Sequence, residues 1–177
     1  MTDTLTLTRP DDWHLHFRDG AMLEETVPAT ARVFRRAIVM PNLTPPVTTV
    51  ALAEAYRERI LAAIPAGVDF EPLMVLYLTD QTPVEEIERA AQSPFVHAFK
   101  LYPAGATTNS DSGVTNPARI HHLYEALEKH DLPFLVHGEV TEPEIDIFDR
   151  ERVFIDRYLN DIRERFPALR IVFEHVT

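Results

Sequence analysis

Short, almost wholly apolar runs alternate along this chain with longer stretches whose apolar residues recur every three or four positions. Ala37–Met40, Leu73–Leu78, Phe95–Tyr102 and Phe134–His137 are runs too short for helices and bounded by Pro, Gly or polar residues. That is the mark of strands buried on both faces. Asp12–Phe17 predicts an earlier strand that alternates instead, with Trp13, Leu15 and Phe17 on one face and His14 and His16 on the other. Arg170–His175 predicts a last one, and Leu5–Leu7 a short leading one. Between them, Leu52, Tyr56, Ile60 and Ile64 draw an apolar stripe on a helix over Val50–Ile64, capped by Thr48 or Thr49. Thr82-Pro83-Val84-Glu85 predicts a capping box opening a helix with Val84, Ile87 and Ala91 inward. Asn116-Pro117 opens another in the same way, carrying Ile120, Leu123 and Leu127. A later helix bears Ile155, Leu159, Ile162 and Phe166, and Met22–Phe34 predicts an irregular helix disturbed at Pro28.

Strand then helix, five times over and followed by a sixth strand, describes a parallel sheet covered by helices, an α/β fold. Two closures fit: an open doubly wound sheet, or part of a (β/α)8 barrel of the TIM type. No glycine-rich phosphate loop follows any strand, which weakens the nucleotide-binding version. The barrel makes the sharper prediction, that reactive side chains gather at the C-terminal ends of strands. His14 and His16 close the first strand, Lys100 lies near the end of the fourth, His137 ends the fifth and His175 the sixth.

Two histidines two apart on a strand project the same way and make a chelate for zinc or a similar metal. A pair of surface histidines on an edge strand is the plain alternative. His137 and His175, taken singly, also read as satisfied buried histidines; recurrence across four strands is what favours a shared site. His97 falls on the face opposite Lys100, which predicts packing toward the helices. His121, His122 and His130 fall on or beside a helix and read as solvated. Lys100 is the oddity, because an isolated ammonium buried at a barrel mouth costs several kcal/mol unless paired or neutralised. Three readings fit it: a snorkelling surface lysine, a Schiff-base lysine, or a carbamate formed with carbon dioxide. The carbamate would be an anionic ligand able to bridge two divalent metals.

Composition narrows the choice. With 177 residues, 45% of them hydrophobic, there is enough apolar material for one packed domain. A net charge of −11 argues against a nucleic-acid or anionic-membrane surface. The absence of cysteine removes disulfides and thiolate ligands, so any metal falls to His, carboxylate or a modified side chain. No apolar run is long enough to span a membrane and the N-terminus has no signal-peptide pattern, so the cytoplasm is the expected compartment.

Asp12-Trp13-His14-Leu15-His16-Phe17-Arg18-Asp19-Gly20, Met40-Pro41-Asn42-Leu43, Lys100-Leu101-Tyr102-Pro103-Ala104, Leu135-Val136-His137-Gly138-Glu139 and Phe173-Glu174-His175 together closely resemble the short bacterial type of dihydroorotase, in the amidohydrolase superfamily. The resemblance runs over essentially the whole chain, yet covers only about the N-terminal half of a family member. It implies a binuclear zinc hydrolase on a (β/α)8 barrel. By that likeness His14 and His16 hold one Zn2+, His137 and His175 the other, and carboxylated Lys100 bridges the two. A hydroxide shared by the metals would attack the ring amide of dihydroorotate, interconverting it with N-carbamoyl-aspartate in pyrimidine biosynthesis. The likeness also places His16 and His137 near the substrate, and makes Arg18 and Asn42 the grips on its carboxylate. A guanidinium matches a carboxylate fork, although a salt bridge to Asp19 is the plainer role for Arg18 and a turn the plainer role for Asn42. Thr107 and Thr108 sit in the long loop Pro103–Thr115, which in the family closes over substrate; an ordinary flexible loop is the alternative. Glu139 and Glu174 are adjacent to ligands and are not expected as catalysts.

The length departs from the family. A full barrel needs about 250 residues, so residues 1–177 read as the N-terminal portion of one metal-dependent hydrolase barrel domain, truncated after the sixth strand. Strands seven and eight are missing. The family's general-base aspartate closes the eighth strand, so it is expected beyond Thr177 and no catalytic base is expected in this chain. The 177 residues alone are expected to be inactive, with strands one and six left as edges open to aggregation. A complete protein is expected to be a homodimer. The competing functions are another cyclic amidohydrolase, of the hydantoinase or allantoinase type, and a non-catalytic homologue that only assembles with another chain.

Overall fold

The computed structural model describes residues 4–175. Thr177, beyond which the general-base aspartate is expected, lies outside the described residues, and so does that expectation. Six strands, β1 (Asp12–Leu15), β2 (Arg36–Val39), β3 (Glu71–Tyr77), β4 (Val96–Leu101), β5 (Phe134–His137) and β6 (Ile171–Glu174), lie side by side in chain order. Every neighbouring pair is parallel. A doubly wound sheet reverses its strand order at a switch point, whereas an unbroken run from first to last is the order of a barrel wall. The fold is therefore α/β, a TIM-type barrel through its sixth strand.

The crossovers carry α1 (Leu23–Ala31), α2 (Val50–Ala62), α3 (Val84–Ala91), α4 (His121–Lys129), and a final pair, α5 (Arg150–Phe154) and α6 (Asn160–Arg165), joined by a π-helical turn over Ile155–Leu159. The central strands β3 to β5 are mostly apolar and buried along nearly their whole length. Outward residues of the sheet, among them Val39, Met74, Leu76, Phe99 and Val136, pack with Val27, Tyr56, Ile60, Ile87 and Leu127 of the helices. Inward residues, Ile38, Met40, Leu73, Val75, Ala98 and Leu135, form a second, smaller cluster on the inner face of the sheet. At the amino end of that face lies an open cavity of about 700 Å³, bordered by Trp13, Arg36, His97, Leu135 and Val172. Among the described residues β1 and β6 pair with only one neighbour each, and Val172 of β6 is 46% exposed. Among the described residues no helix is long and apolar enough to cross a membrane.

Local signals explain most helix starts. Thr49 Oγ1 accepts from Leu52 N–H at 3.2 Å and caps α2. Asn116 caps the 3₁₀ turn that leads into α4. The expected capping box at Thr82 does not form, because its hydroxyl accepts instead from Thr79 N–H at 2.9 Å. In α3 the buried positions are Glu86, Ile87 and Ala90, so Ala91 points outward. Glu86 is buried because its carboxylate accepts from Val50 N–H at 2.6 Å, capping a neighbouring helix. On α2 the inward stripe is Ala53, Tyr56 and Ile60, and Leu52 is exposed. Leu5–Leu7 forms no strand, and both leucines are exposed. Pro28 sits inside α1 without ending it.

Two register shifts overturn face assignments. One lies between Asp12 and Leu15, the other on β4 between Val96 and Ala98. An extra residue in a strand resets its alternation. Trp13 consequently borders the inner cavity rather than sharing the outward face of Leu15 and Phe17. His97 borders the same cavity instead of packing toward the helices. His121 is not solvated either: it is half-buried against Phe166, with Nε2 3.3 Å from Asp161.

Candidate metal centre

The C-terminal strand ends bring distant residues to one mouth. His14 and His16 leave β1 on the same side, with their Nε2 atoms 3.1 Å apart. The His14 and His175 rings are 5.3 Å apart between centroids, and those of His137 and His175 4.6 Å. Beneath them Lys100 is fully buried and ion-paired to Glu174. The other oxygen of that carboxylate lies 3.1 Å from His14 Nδ1, in an approach too far off-axis for a hydrogen bond. One donor atom each from His14, Glu174 and His175 falls within 4.8 Å of the others. A cavity of about 270 Å³ above this group is bordered by His14, His16, Tyr102, Thr107, His137 and His175. All five expected ligands therefore converge.

The backbone is bent to achieve this. Arg18 and His175 adopt φ of 65° and 36°, in the left-handed region that side chains with a Cβ rarely occupy. Such outliers persist where the surrounding structure overrides local preference, and they cluster at functional sites. Of ten buried side-chain nitrogen or oxygen atoms lacking a hydrogen-bond partner among the described residues, six are at this mouth, on His14, His16, Arg18, Asn42, Tyr102 and His137. Buried polar groups are normally paired, so their concentration here is the signature of a site built for a polar ligand.

Electrostatics keep the imidazoles ready. Burial first, then the neighbouring His14, pushes His16 down to about 4. Burial and the nearby His175 push His137 to about 4 as well. Both are neutral at physiological pH and present lone pairs, as metal ligation requires. Burial lowers Lys100, with Glu174 opposing. Burial raises Glu174, but His14 and Lys100 more than offset that and it ends below the usual range. Four imidazoles and a carboxylate suit a borderline cation such as Zn2+. An ammonium at Lys100 has no lone pair to offer, so the lysine would have to lose its proton or be modified to join that donor set.

Arg18 is not paired with Asp19, whose carboxylate binds Arg59 at 2.7 Å. No ion pair involves Arg18 among the described residues, and its charge acts on His16 and Tyr102. Asn42 is buried; its amide nitrogen donates to Thr108 C=O at 3.0 Å, while its Oδ1 is unpartnered. Thr107 borders the cavity, whereas Thr108 is exposed and reaches the site only through its carbonyl. Sequence reasoning set Glu174 aside as a neighbour of ligands and gave Tyr102 no role. The signal for both was a polar group at an inward strand position, two residues beyond Val172 and Lys100 respectively.

The amidohydrolase family profile matches residues 11–176. The chain belongs to the amidohydrolase family. Among amidohydrolases it is 81% identical, over all 177 residues, to a dihydroorotase of Alcanivorax borkumensis, of which it covers 52%. It is 66% identical to the dihydroorotase of Cupriavidus necator, again covering 52%. The chain thus spans about half the length of the curated relatives it matches. Among solved structures, the dihydroorotase of Campylobacter jejuni superposes with a TM-score of 0.85 at 39% identity, over 96% of this chain and 48% of that one. The Saccharomyces cerevisiae dihydroorotase in complex with 5-fluoroorotic acid gives 0.85 at 32%, over 95% and 48%. An L-hydantoinase of Arthrobacter aurescens, at 16% identity, shares the fold.

Proposed function

We propose that this chain is the metal-bearing N-terminal portion of a dihydroorotase, a zinc-dependent hydrolase that interconverts N-carbamoyl-L-aspartate and dihydroorotate in pyrimidine biosynthesis. The observation that carries the site is the cluster of unpartnered buried polar atoms on the histidines, Arg18 and Asn42. The dihydroorotase relatives narrow the substrate. His14 and His16 would hold one Zn2+, His137 and His175 the second, with Lys100 as a carbamate between them. Bound cations would supply Lewis acidity and lower the pKa of water at the mouth.

The chain's own residues do the rest. Arg18, half-buried and unpaired, offers its guanidinium fork to the substrate carboxylate. Asn42 Oδ1, His16 and His137 supply further polar contacts, and Thr107 from the loop excludes water above them. Glu174, 3.1 Å from His14 Nδ1 and paired to Lys100, sets a negative charge beside the histidines that favours a cation at the mouth. In the complete protein, which this reading takes as a homodimer, the general base comes from beyond Thr177.

The test joins this chain to the part of the Alcanivorax relative that it does not cover. Expected results are two equivalents of zinc, turnover of dihydroorotate well above that of hydantoins, and loss of both zinc and turnover in Lys100→Ala. The 177 residues alone are expected to show no turnover. Hydantoins turned over as fast as dihydroorotate would point to the other cyclic amidohydrolases. Normal zinc content in Lys100→Ala would remove the bridging carbamate.

A further inference from the structure

The loop between β4 and α4 holds itself together around Ser110, which is fully buried. Ser110 Oγ donates to Thr107 C=O at 2.6 Å and accepts from Thr107 N–H at 2.9 Å. Its carbonyl accepts from Gly105 and Gly113 N–H at 3.2 and 2.9 Å. The loop tip is therefore a knot tied by its own hydrogen bonds. One end is tied down where Thr115 binds Asp80 through N–H and hydroxyl, at 3.0 and 2.7 Å.

What holds the tip across the barrel mouth is a reciprocal exchange. Asn42 Nδ2 donates to Thr108 C=O at 3.0 Å, and Asn109 Nδ2 donates back to Asn42 C=O at 3.0 Å. Tyr77 O–H adds a longer donation to Asn109 C=O at 3.4 Å. Asn42 is a rigid anchor: it is 2% exposed, and Pro41 C=O beside it accepts from both Leu43 and Val47 N–H. Asn109 adopts φ of 56°, a conformation that Asn tolerates better than most residues. The backbone there places its amide toward Asn42, while the neighbouring Thr107 borders the histidine cavity.

We propose that Asn109 is a positioning residue: its side chain clasps the loop knot to Asn42 and so sets Thr107 over the mouth. The meaning of that closure for substrate rests on the reading under Proposed function; the clasp itself does not. Asn42 then has two tasks on one amide, with its nitrogen committed to the loop and its oxygen left facing the site. A loop held open would release that nitrogen and change the anchor at the same time.

Two substitutions isolate the side chain. Asn109→Gly keeps the left-handed backbone and removes the donor. Asn109→Asp keeps the shape and replaces the donor with an acceptor that faces a carbonyl. Amide hydrogen exchange on the completed protein, stripped of metal, is expected to speed up roughly five- to tenfold at residues 105–112 in both variants, the scale of one lost hydrogen bond. Exchange in β3, β4 and α2 should stay at the native level. Unchanged exchange at the tip, or equal loosening throughout the chain, overturns the clasp. In the completed protein, both variants are expected to raise KM for dihydroorotate severalfold with zinc content unaltered. Native kinetics beside loosened exchange overturns the positioning role. Loss of zinc binding in the parent protein would instead strike the metal reading, since the exchange result does not depend on it.

Discussion

Removing Glu174 tests the buried pair most directly. The Lys100 side chain is fully buried and that of Glu174 is 5% exposed, so neither charge has water to fall back on. Taking away one partner of such a pair costs about 3–5 kcal/mol, because the other is left as an uncompensated charge. Replacing both by apolar groups of similar volume is often close to neutral. Glu174→Met should therefore cost about 3–5 kcal/mol, whereas the double variant Glu174→Met/Lys100→Met should recover most of that loss. A domain has only about 5–15 kcal/mol in total, so the single variant is expected to be largely unfolded in mild urea and the double variant folded. Urea unfolding followed by circular dichroism measures this, with chelator present and carbon dioxide excluded so that Lys100 stays an amine. If the double variant is no more stable than Glu174→Met, the two side chains are not compensating each other and the electrostatic account of the mouth fails.

The buried histidines and the loop glycine carry two further expectations. His16 and His137 titrate at about 4 in the folded chain against an ordinary value of 6.5. Between those values the unfolded chain binds protons that the folded chain refuses, so stability should be full above about pH 6.5 and fall as the pH drops toward 4. Urea midpoints at about pH 5 and 7 test the sign, and a midpoint that holds or rises on acidification contradicts it. In the loop, a Cβ added at Gly113 would meet Tyr102 C=O at 2.3 Å and Ser110 C=O at 2.9 Å. Because the first obstacle is the backbone just past β4, which cannot turn aside as a side chain would, Gly113→Ala should destabilise by about 1–3 kcal/mol and loosen the loop. Native thermal stability in that variant would mean that the loop lies elsewhere.

The alternation of apolar runs and amphipathic stretches is a property of neighbouring residues, and it was enough to place six strands and most helices. The residues closing those strands were equally legible. His137 before Gly138, or Lys100 two residues before Tyr102-Pro103, stands at a strand end whatever the sheet does. Caps that depend on three or four residues, such as Thr49 and Asn116, were legible for the same reason. The expected Thr82 box was lost to Thr79, a competitor equally near but outside the motif.

Local patterning thus carries a set of strands, their approximate ends and the chemistry found there. Tertiary structure alone decided how those strands are ordered, and hence that a barrel wall and not a doubly wound sheet gathers the ends into one mouth. It also decided the register shifts that turn Trp13 and His97 inward, because a bulge is set by the partner strand rather than by the residues that form it. Glu174 meets Lys100 across 74 positions, and Asn109 meets Asn42 across 67. Contacts of that separation leave no trace in local periodicity. They exist only once the sheet has brought both partners to the same end, where a buried charge or amide must find whatever partner lies within reach.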